Sequence, residues 1–491
     1  MQYDSAISKA EFQSFLTDTS LSTSTTAAIS TLLNLETADT VNLASWDGVN
    51  APEVPTGQTA PADVVTGEIA GQAGDLVTLD IPESLSTAKA FILGSDASLN
   101  VTFDAPVAAA AFALAANATA AADASTGIEF LVSTGAGNDV INVKGDQNSY
   151  IDVGDGNDTV ITGNGNNTVV AGAGNNNIAT GSGNDTIILS GVNHTDVVNT
   201  GAGYDVVQLD GVRTDYDFTT GNSYNVQLTA PTGAGQTAAI TDAEFLTFVD
   251  ADDNISTVAL AHNETEAAAL RLFEGVLGRD ADATGAQSYT AQVNAGVSLT
   301  EVASAFLNSA EYSAAANTSF VSGLYSDLLG RDVGEDTAGL QSWLSVLANG
   351  GSKVDVVAGI ATSQEAISQD TSNGTYVESL YDLALGRDSD EAGLNSWVTQ
   401  LVNGASRAEV AAGILGSSEA AAKSTDDFIT NLYVNALGRT EAQADADVAG
   451  KAGWVEALAN GATQADVAVG IVGSQEAIAH IDNVVVLHGA V

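Results

Sequence analysis

Apolar positions change their period several times along the chain, and each change marks an expected element. Ile7, Phe12, Phe15 and Leu16, then Ile29, Leu32 and Leu33, recur at helical spacing between Ser/Thr clusters, which predicts a helical head over residues 1–39. Residues 40–130 switch to short runs such as "DLVTLDI", "AFILG" and "NVTF", broken by Gly, Pro, Asn and Asp. That pattern predicts a compact β-rich domain, a sandwich. Over 131–210 single aliphatics return about every nine residues, at Ile141, Ile151, Val160, Val169, Ile178, Ile187, Val197 and Val207, between glycine turns. Such spacing is that of a stacking solenoid. Alternation over 211–260 predicts a β cap, and 261–480 turn to helix formers in a longer repeat marked by "LGR" at Arg279, Arg331, Arg387 and Arg439. The fold class expected is therefore multidomain α+β, with a stacking solenoid between N-terminal and C-terminal parts.

Each helical repeat opens with residues such as Phe320, Leu324, Tyr325 and Leu328 and stops at the Gly of LGR, where glycine supplies a left-handed cap. A second helix carries Tyr289, Trp343, Trp397 or Trp454, read as core rather than as a sugar platform. The repeat ends in S-x-E, as at Ser309/Glu311, Ser363/Glu365 and Ser474/Glu476, suited to a helix start. The planar fork of each LGR arginine is expected to tie the helix end to nearby acids, with Arg331 and Arg387 mostly buried. The aspartates after LGR (Asp280, Asp282, Asp332, Asp336, Asp388 and Asp390) are a second candidate calcium set, without full EF-hand spacing.

Composition narrows the partners. Lys plus Arg number 13 against 62 Asp plus Glu, a formal charge of −49, which argues against nucleic acid and anionic lipid and for metal cations. There is no cysteine, and residues 1–20 lack the apolar core of a secretory signal. The alanine-rich run Ala105–Ala122 holds Pro106, Asn117 and Thr119 and makes a poor membrane span. A soluble, extracellular protein is expected. No catalytic signature is present, and His194, His262, His480 and His488 have no ligand spacing, so the expectation is no enzyme, with His194 exposed.

The G-x-G-N-[DN] element at Gly154, Gly163, Gly172 and Gly181 resembles the G-G-x-G-x-D-x-U-x repeat of RTX (repeats-in-toxin) proteins over about seventy-five residues. That resemblance implies a β-roll binding Ca²⁺ between stacked turns through aspartates and backbone carbonyls. The aspartate position reads Asp139, Ser149, Asp158, Asn167, Asn176, Asp185, Thr195 and Asp205, and alternate turns stack. Only Asp139 with Asp158, and Asp185 with Asp205, keep both carboxylates; with Gly137, Gly156, Gly183 and Gly203 they form the expected metal set. Asn167 and Asn176 are expected to continue as neutral, amide-bonded turns. A wholly metal-free ladder is the alternative, opposed by the repulsion of carboxylates stacked about 5 Å apart.

The LGRDxDxxG run resembles a bacterial cell-surface helical repeat of unassigned function, distantly like phycobilisome linkers. Residues 481–491, ending "IDNVVVLHGAV", resemble an uncleaved C-terminal signal for type I secretion machinery. Together these features resemble a self-assembling surface-layer (S-layer) protein of a marine Gram-negative type. The implied function is a calcium-dependent two-dimensional lattice of identical chains on the outer surface, with lipopolysaccharide as anchor. A calcium-binding, carbohydrate-binding biofilm-matrix adhesin is the alternative, and a hydrolase built on 40–130 a third reading.

Overall fold

The computed structural model describes residues 7–19, 21–54, 58, 60–104, 127–191, 194–230, 236–334, 336–368 and 371–489. The run 105–122 considered as a membrane span lies outside the described residues. Among those described, no helix is long and apolar enough to cross a membrane. The chain divides into two compact units, one of residues 1–267, 280–287 and 483–491, the other of 268–279 and 288–482.

The first unit is a two-sheet solenoid with a helical head. Helix Lys9–Thr17 starts at a Ser8/Glu11 capping box and helix Thr23–Leu32 at Ser22, each satisfying amide groups that a helix start leaves free. Phe12, Leu16 and Ile29 bury against Val64, Ala90, Leu131 and Tyr150.

Successive strands alternate between an eleven-stranded and a nine-stranded sheet. Phe130–Ser133, Ser149–Asp152, Thr168–Ala171, Thr186–Leu189 and Val206–Asp210 pair in parallel in the first. Val140–Val143, Thr159–Thr162, Asn177–Ala179 and Thr195–Asn199 pair in parallel in the second. Each turn buries at least one aliphatic between the sheets, Ile141, Ile151, Val160, Val169, Ile178, Ile187 and Val207 all being about fully enclosed. At roughly 1.5–3 kcal/mol per enclosed aliphatic, this column is the main source of the roll's stability.

The sandwich expected over 40–130 is instead the beginning of the same solenoid. Leu43–Ser45, Val64–Glu68 and Ala90–Gly94 extend the larger sheet in parallel, and Leu76–Leu79 and Ser98–Phe103 extend the smaller. Val65, Leu79, Phe91 and Val101 share one core with Ile141 and Ile151. These early coils keep the inward aliphatics but not the nine-residue turn, so the period is lost while the stacking persists. At the other end Thr237–Thr241 and Phe245–Val249 continue the parallel stacks, and Asp217–Thr220, Asn225–Thr229 and Ile255–Ala261 close them with antiparallel pairs. Val484–Val486, in the segment expected as a secretion tail, pairs in parallel with Ile255–Ala261.

The second unit repeats a helical motif. Helices Ala310–Leu329, Asn373–Leu385 and Ser418–Leu437 end at Gly330, Gly386 and Gly438 with φ of 61°, 63° and 64°. Gly278 closes the equivalent segment at φ 66°, so the LGR glycine is a left-handed cap in all four repeats. Trp343, Trp397 and Trp454 lie on Gly359, Gly413 and Gly470 of the following helix, where an added Cβ would meet the ring at 2.4, 2.5 and 2.7 Å. Those glycines explain how rings on otherwise half-exposed helices become packing groups.

The arginines correct one expectation. Arg331 and Arg387 side chains are 36% and 39% exposed rather than buried. Their forks still bond within the repeat, Arg331 to Glu365 and Asp336, Arg387 to Glu419, and Arg439 likewise to Glu476 and Asp447. Each also lies over the aromatic six residues before it, 4.9 Å above Tyr325, 5.1 Å above Tyr381 and 4.7 Å above Tyr433. A guanidinium lying on an aromatic face keeps its other side partly in water. Arg331→Lys should lower the melting temperature of this unit by a few degrees, and adding Glu365→Gln should cost little more, because the lysine has already given up the paired geometry. Equal, additive losses in the two single variants would contradict that coupling.

The aspartates after LGR also have a helix role. Asp282, Asp336 and Asp390 accept the backbone N–H of Gly285, Gly339 and Gly393 at 2.8, 2.9 and 2.8 Å.

Candidate metal ladder

Stacking of alternate turns places the aspartates in two internal ladders. In one, Asp139 Oδ1 accepts the Leu99 N–H at 2.7 Å and Asp158 Oδ1 accepts the Asp139 N–H at 2.7 Å. Asn176 Oδ1 then accepts from Asp158 at 3.1 Å, and Asp196 Oδ1 from Asn176 at 3.0 Å. In the other, Asn167, Asp185, Asp205 and Glu244 accept the N–H of Ser149, Asn167, Asp185 and Asp205 in turn, at 3.2, 2.7, 2.8 and 2.7 Å. The structure thus brings Asp139 to Asp158 and Asp185 to Asp205, and keeps the two pairs on separate ladders.

The glycines are forced by the stacking. A Cβ on Gly156 would lie 1.9 Å from the Gly137 carbonyl oxygen, and one on Gly203 1.8 Å from that of Gly183. Gly137 itself stacks on Ala97, and Gly183 on Gly165, with an added Cβ 2.4 and 2.5 Å from the carbonyl oxygen below.

Asparagine turns show what the ladder needs at its second side-chain atom. Asn167 Nδ2 donates to the carbonyls of Gly163 and Gly165 at 3.2 and 2.6 Å, and Asn176 Nδ2 to those of Gly172 and Gly174 at 3.3 and 3.1 Å. Each amide also donates to the next rung's Oδ1, at 3.1 and 3.0 Å. The amide bonding expected of these two residues is therefore present. An aspartate in the same place has an oxygen where the asparagine has its donor. Among the described residues, Oδ2 of Asp139, Asp158, Asp185, Asp196 and Asp205 is buried without a hydrogen-bond partner. An oxygen facing glycine carbonyls needs a positive charge.

Electrostatics point the same way. Burial pushes the Asp158 carboxyl up to about 7, opposed by the Asp139 backbone amide and assisted by weaker repulsion from Asp139 and Asp155. Burial does the same to Asp205, to about 7, and to Glu244, to about 8. Asp139 and Asp185 are raised by burial too, partly offset by the Thr134 hydroxyl in the first case and by the Asn167 amide in the second. The residues fit a hard cation held by one carboxylate and backbone carbonyls per turn. Among the described residues no group of three or more His, Asp or Glu side chains is placed to hold a metal, so the backbone would have to supply most ligands.

Two positions differ from the sequence reading for one reason. The rung expected at Thr195 is Asp196, fully buried, and the inward aliphatic expected at Val197 is Val198, while Val197 is 51% exposed. Extra residues in the preceding turn shift the register by one, which reverses inside and outside in a strand. Glu244 was missed because it is a longer side chain beyond the last nonapeptide. A further asparagine ladder was missed as well: Asn138 and Asn157 Oδ1 accept the N–H of Asn157 and Asn175, both at 2.7 Å. Its sequence signal is the Asn directly before each rung.

Residues 152–187 match the RTX calcium-binding nonapeptide repeat, a description of four copies. Residues 265–316, 311–369, 366–424 and 421–481 match, in four successive stretches, the domain of unknown function DUF4214. No curated protein and no solved structure matches the chain.

Proposed function

We propose that this chain is a non-enzymatic surface-layer protein that assembles with copies of itself into a calcium-dependent two-dimensional lattice on a Gram-negative outer surface. The observation that carries the reading is the set of buried aspartate oxygens without hydrogen-bond partners, those of Asp158 and Asp185 inside the RTX-matched residues, at rungs where Asn167 and Asn176 instead donate to glycine carbonyls. Calcium, scarce inside cells and abundant outside, would complete the roll after export by type I secretion machinery, and lipopolysaccharide would anchor it.

Self-assembly at −49 needs a face where copies can meet without repulsion. The outer side of the nine-stranded sheet supports one. Asn142 pairs with Ile161 and Ile161 with Ala179, while Val140, Thr159, Asn177 and Val197 line up beside them, all uncharged. Val140, Ile161 and Val197 are 38%, 46% and 51% exposed. Sedimentation of purified protein tests this reading. Wild-type protein should pellet as large assemblies when Ca²⁺ is added, and Ile161→Glu should stay in the supernatant with an unchanged melting temperature. A monomer that binds glycans and never pellets would favour the adhesin reading instead.

A further inference from the structure

The turn leading into Thr195–Asn199 departs from its neighbours in chemistry as well as in register. Asp196 is fully buried, and its Oδ1 accepts both the N–H and the Nδ2 of Asn176 at 3.0 Å each. Its second oxygen, like those of the other four aspartates, makes no hydrogen bond of good geometry, but it has a charged-group neighbour that theirs lack. Oδ2 lies 2.9 Å from Nδ1 of His194, with the two side chains 0% and 4% exposed. The histidine expected at the surface is therefore an interior group.

Three solutions to one problem are thus stacked in a single array. At Asn167 and Asn176 the second side-chain atom is an amide donor. At Asp139, Asp158, Asp185 and Asp205 it is an oxygen without a donor. At Asp196 it is an oxygen with an imidazole nitrogen against it. The Asp196 carboxylate favours the charged ring most strongly, and the backbone of Gly191 and Ser190 favours it too, while burial opposes it. A ring so placed has a carboxylate and backbone groups around it, the same kinds of ligand that the aspartate turns offer to a cation.

We propose that the His194 ring is a built-in replacement for the bound cation, filling at the Asp196 turn the place that calcium takes at the aspartate turns. This rests on the reading that those aspartate turns bind calcium. An attached ring gives up no translational freedom on filling the place and does not depend on external calcium, so this turn closes unaided. The same argument makes the site latent: with the ring removed, a buried carboxylate again lacks a counter-charge, and a divalent cation can supply it.

The test uses the full chain, with Ca²⁺ stoichiometry from titration calorimetry and melting in chelator and in Ca²⁺ near neutral pH. His194→Ala should bind one more Ca²⁺ per chain than wild type and show a larger calcium-dependent rise in melting temperature. His194→Asn, whose amide can donate as Asn167 and Asn176 do, should bind no additional ion and melt in chelator near wild type. The inference is overturned if His194→Ala keeps wild-type stoichiometry and melts lower by the same amount with and without calcium. It is equally overturned if His194→Ala fails to fold even in calcium, or if His194→Asn gains the same calcium requirement as His194→Ala. A wild-type chain that binds no calcium refutes the underlying reading as well, which separates that failure from failure of the histidine assignment alone.

Discussion

Chelation should lower the melting temperature of the roll by about 10 °C or more at pH 8, and the loss should shrink as the pH falls. Four buried carboxyls are responsible, two of them raised from the ordinary 3.8 to about 7. A shift of that size corresponds to roughly 4 kcal/mol for each group, as an order of magnitude. Because the folded-state value lies above the unfolded one, the metal-free fold holds its protons more tightly than the unfolded chain. Its stability is fully present below about pH 4 and is lost as the pH rises through about 7. Calcium binds only the ionised form, so the calcium-loaded protein should show the opposite preference. Scanning calorimetry in chelator and in Ca²⁺ at pH 5.5 and 8.5 reads both trends. Asp158→Asn with Asp185→Asn should roughly halve the calcium effect, since each asparagine can adopt the amide bonding of Asn167 and Asn176. A double variant with an undiminished calcium effect would show that the ion acts elsewhere.

Gly156→Ala should be among the most damaging conservative changes in the roll, costing several kcal/mol or abolishing folding. Its Cβ would sit 1.9 Å from the Gly137 carbonyl oxygen and 2.8 Å from the carbonyl carbon, both backbone atoms that cannot swing aside. The backbone there, at φ 150°, also disfavours a side chain. Gly74 separates the two causes, because it has φ 94° and open space around the added atom. Gly74→Ala should therefore cost only about 1 kcal/mol, the conformational part. Urea denaturation of both variants checks the difference. Equal losses would mean that contact between stacked turns is not what requires glycine.

Where the sequence repeats, it was legible because one physical constraint recurs at one spacing. Inward aliphatics, stacked glycines and rung residues between Ser149 and Ile187 could all be placed by counting nines, and the LGR glycines by their common capping role. Counting failed at His194 to Val198, where inserted residues moved the rung to Asp196 and turned Val197 outward. It also failed over 40–130, because coils such as Val64–Glu68 and Ser98–Phe103 use irregular turns and reveal themselves only by pairing in register with the roll. Burial of the LGR arginines was overestimated for a different reason. The aromatic partner six residues earlier, Tyr325 for Arg331, was not read as a platform that holds a guanidinium at the surface. Lys451 likewise depends on tertiary placement: it is buried among Asp426, Asp445 and Thr430, and Asp445 comes from the helix Glu441–Ala446 inserted in the fourth repeat.

Electron microscopy of the purified chain through a cycle of calcium addition, chelation and readdition tests the central claim most directly. Ordered sheets should appear with Ca²⁺, disperse in chelator and return with Ca²⁺, while Mg²⁺, which keeps its own water and demands a tighter octahedron, should restore them poorly. Dispersed monomers throughout the cycle, or sheets indifferent to chelation, would contradict a lattice built on calcium-filled aspartate turns.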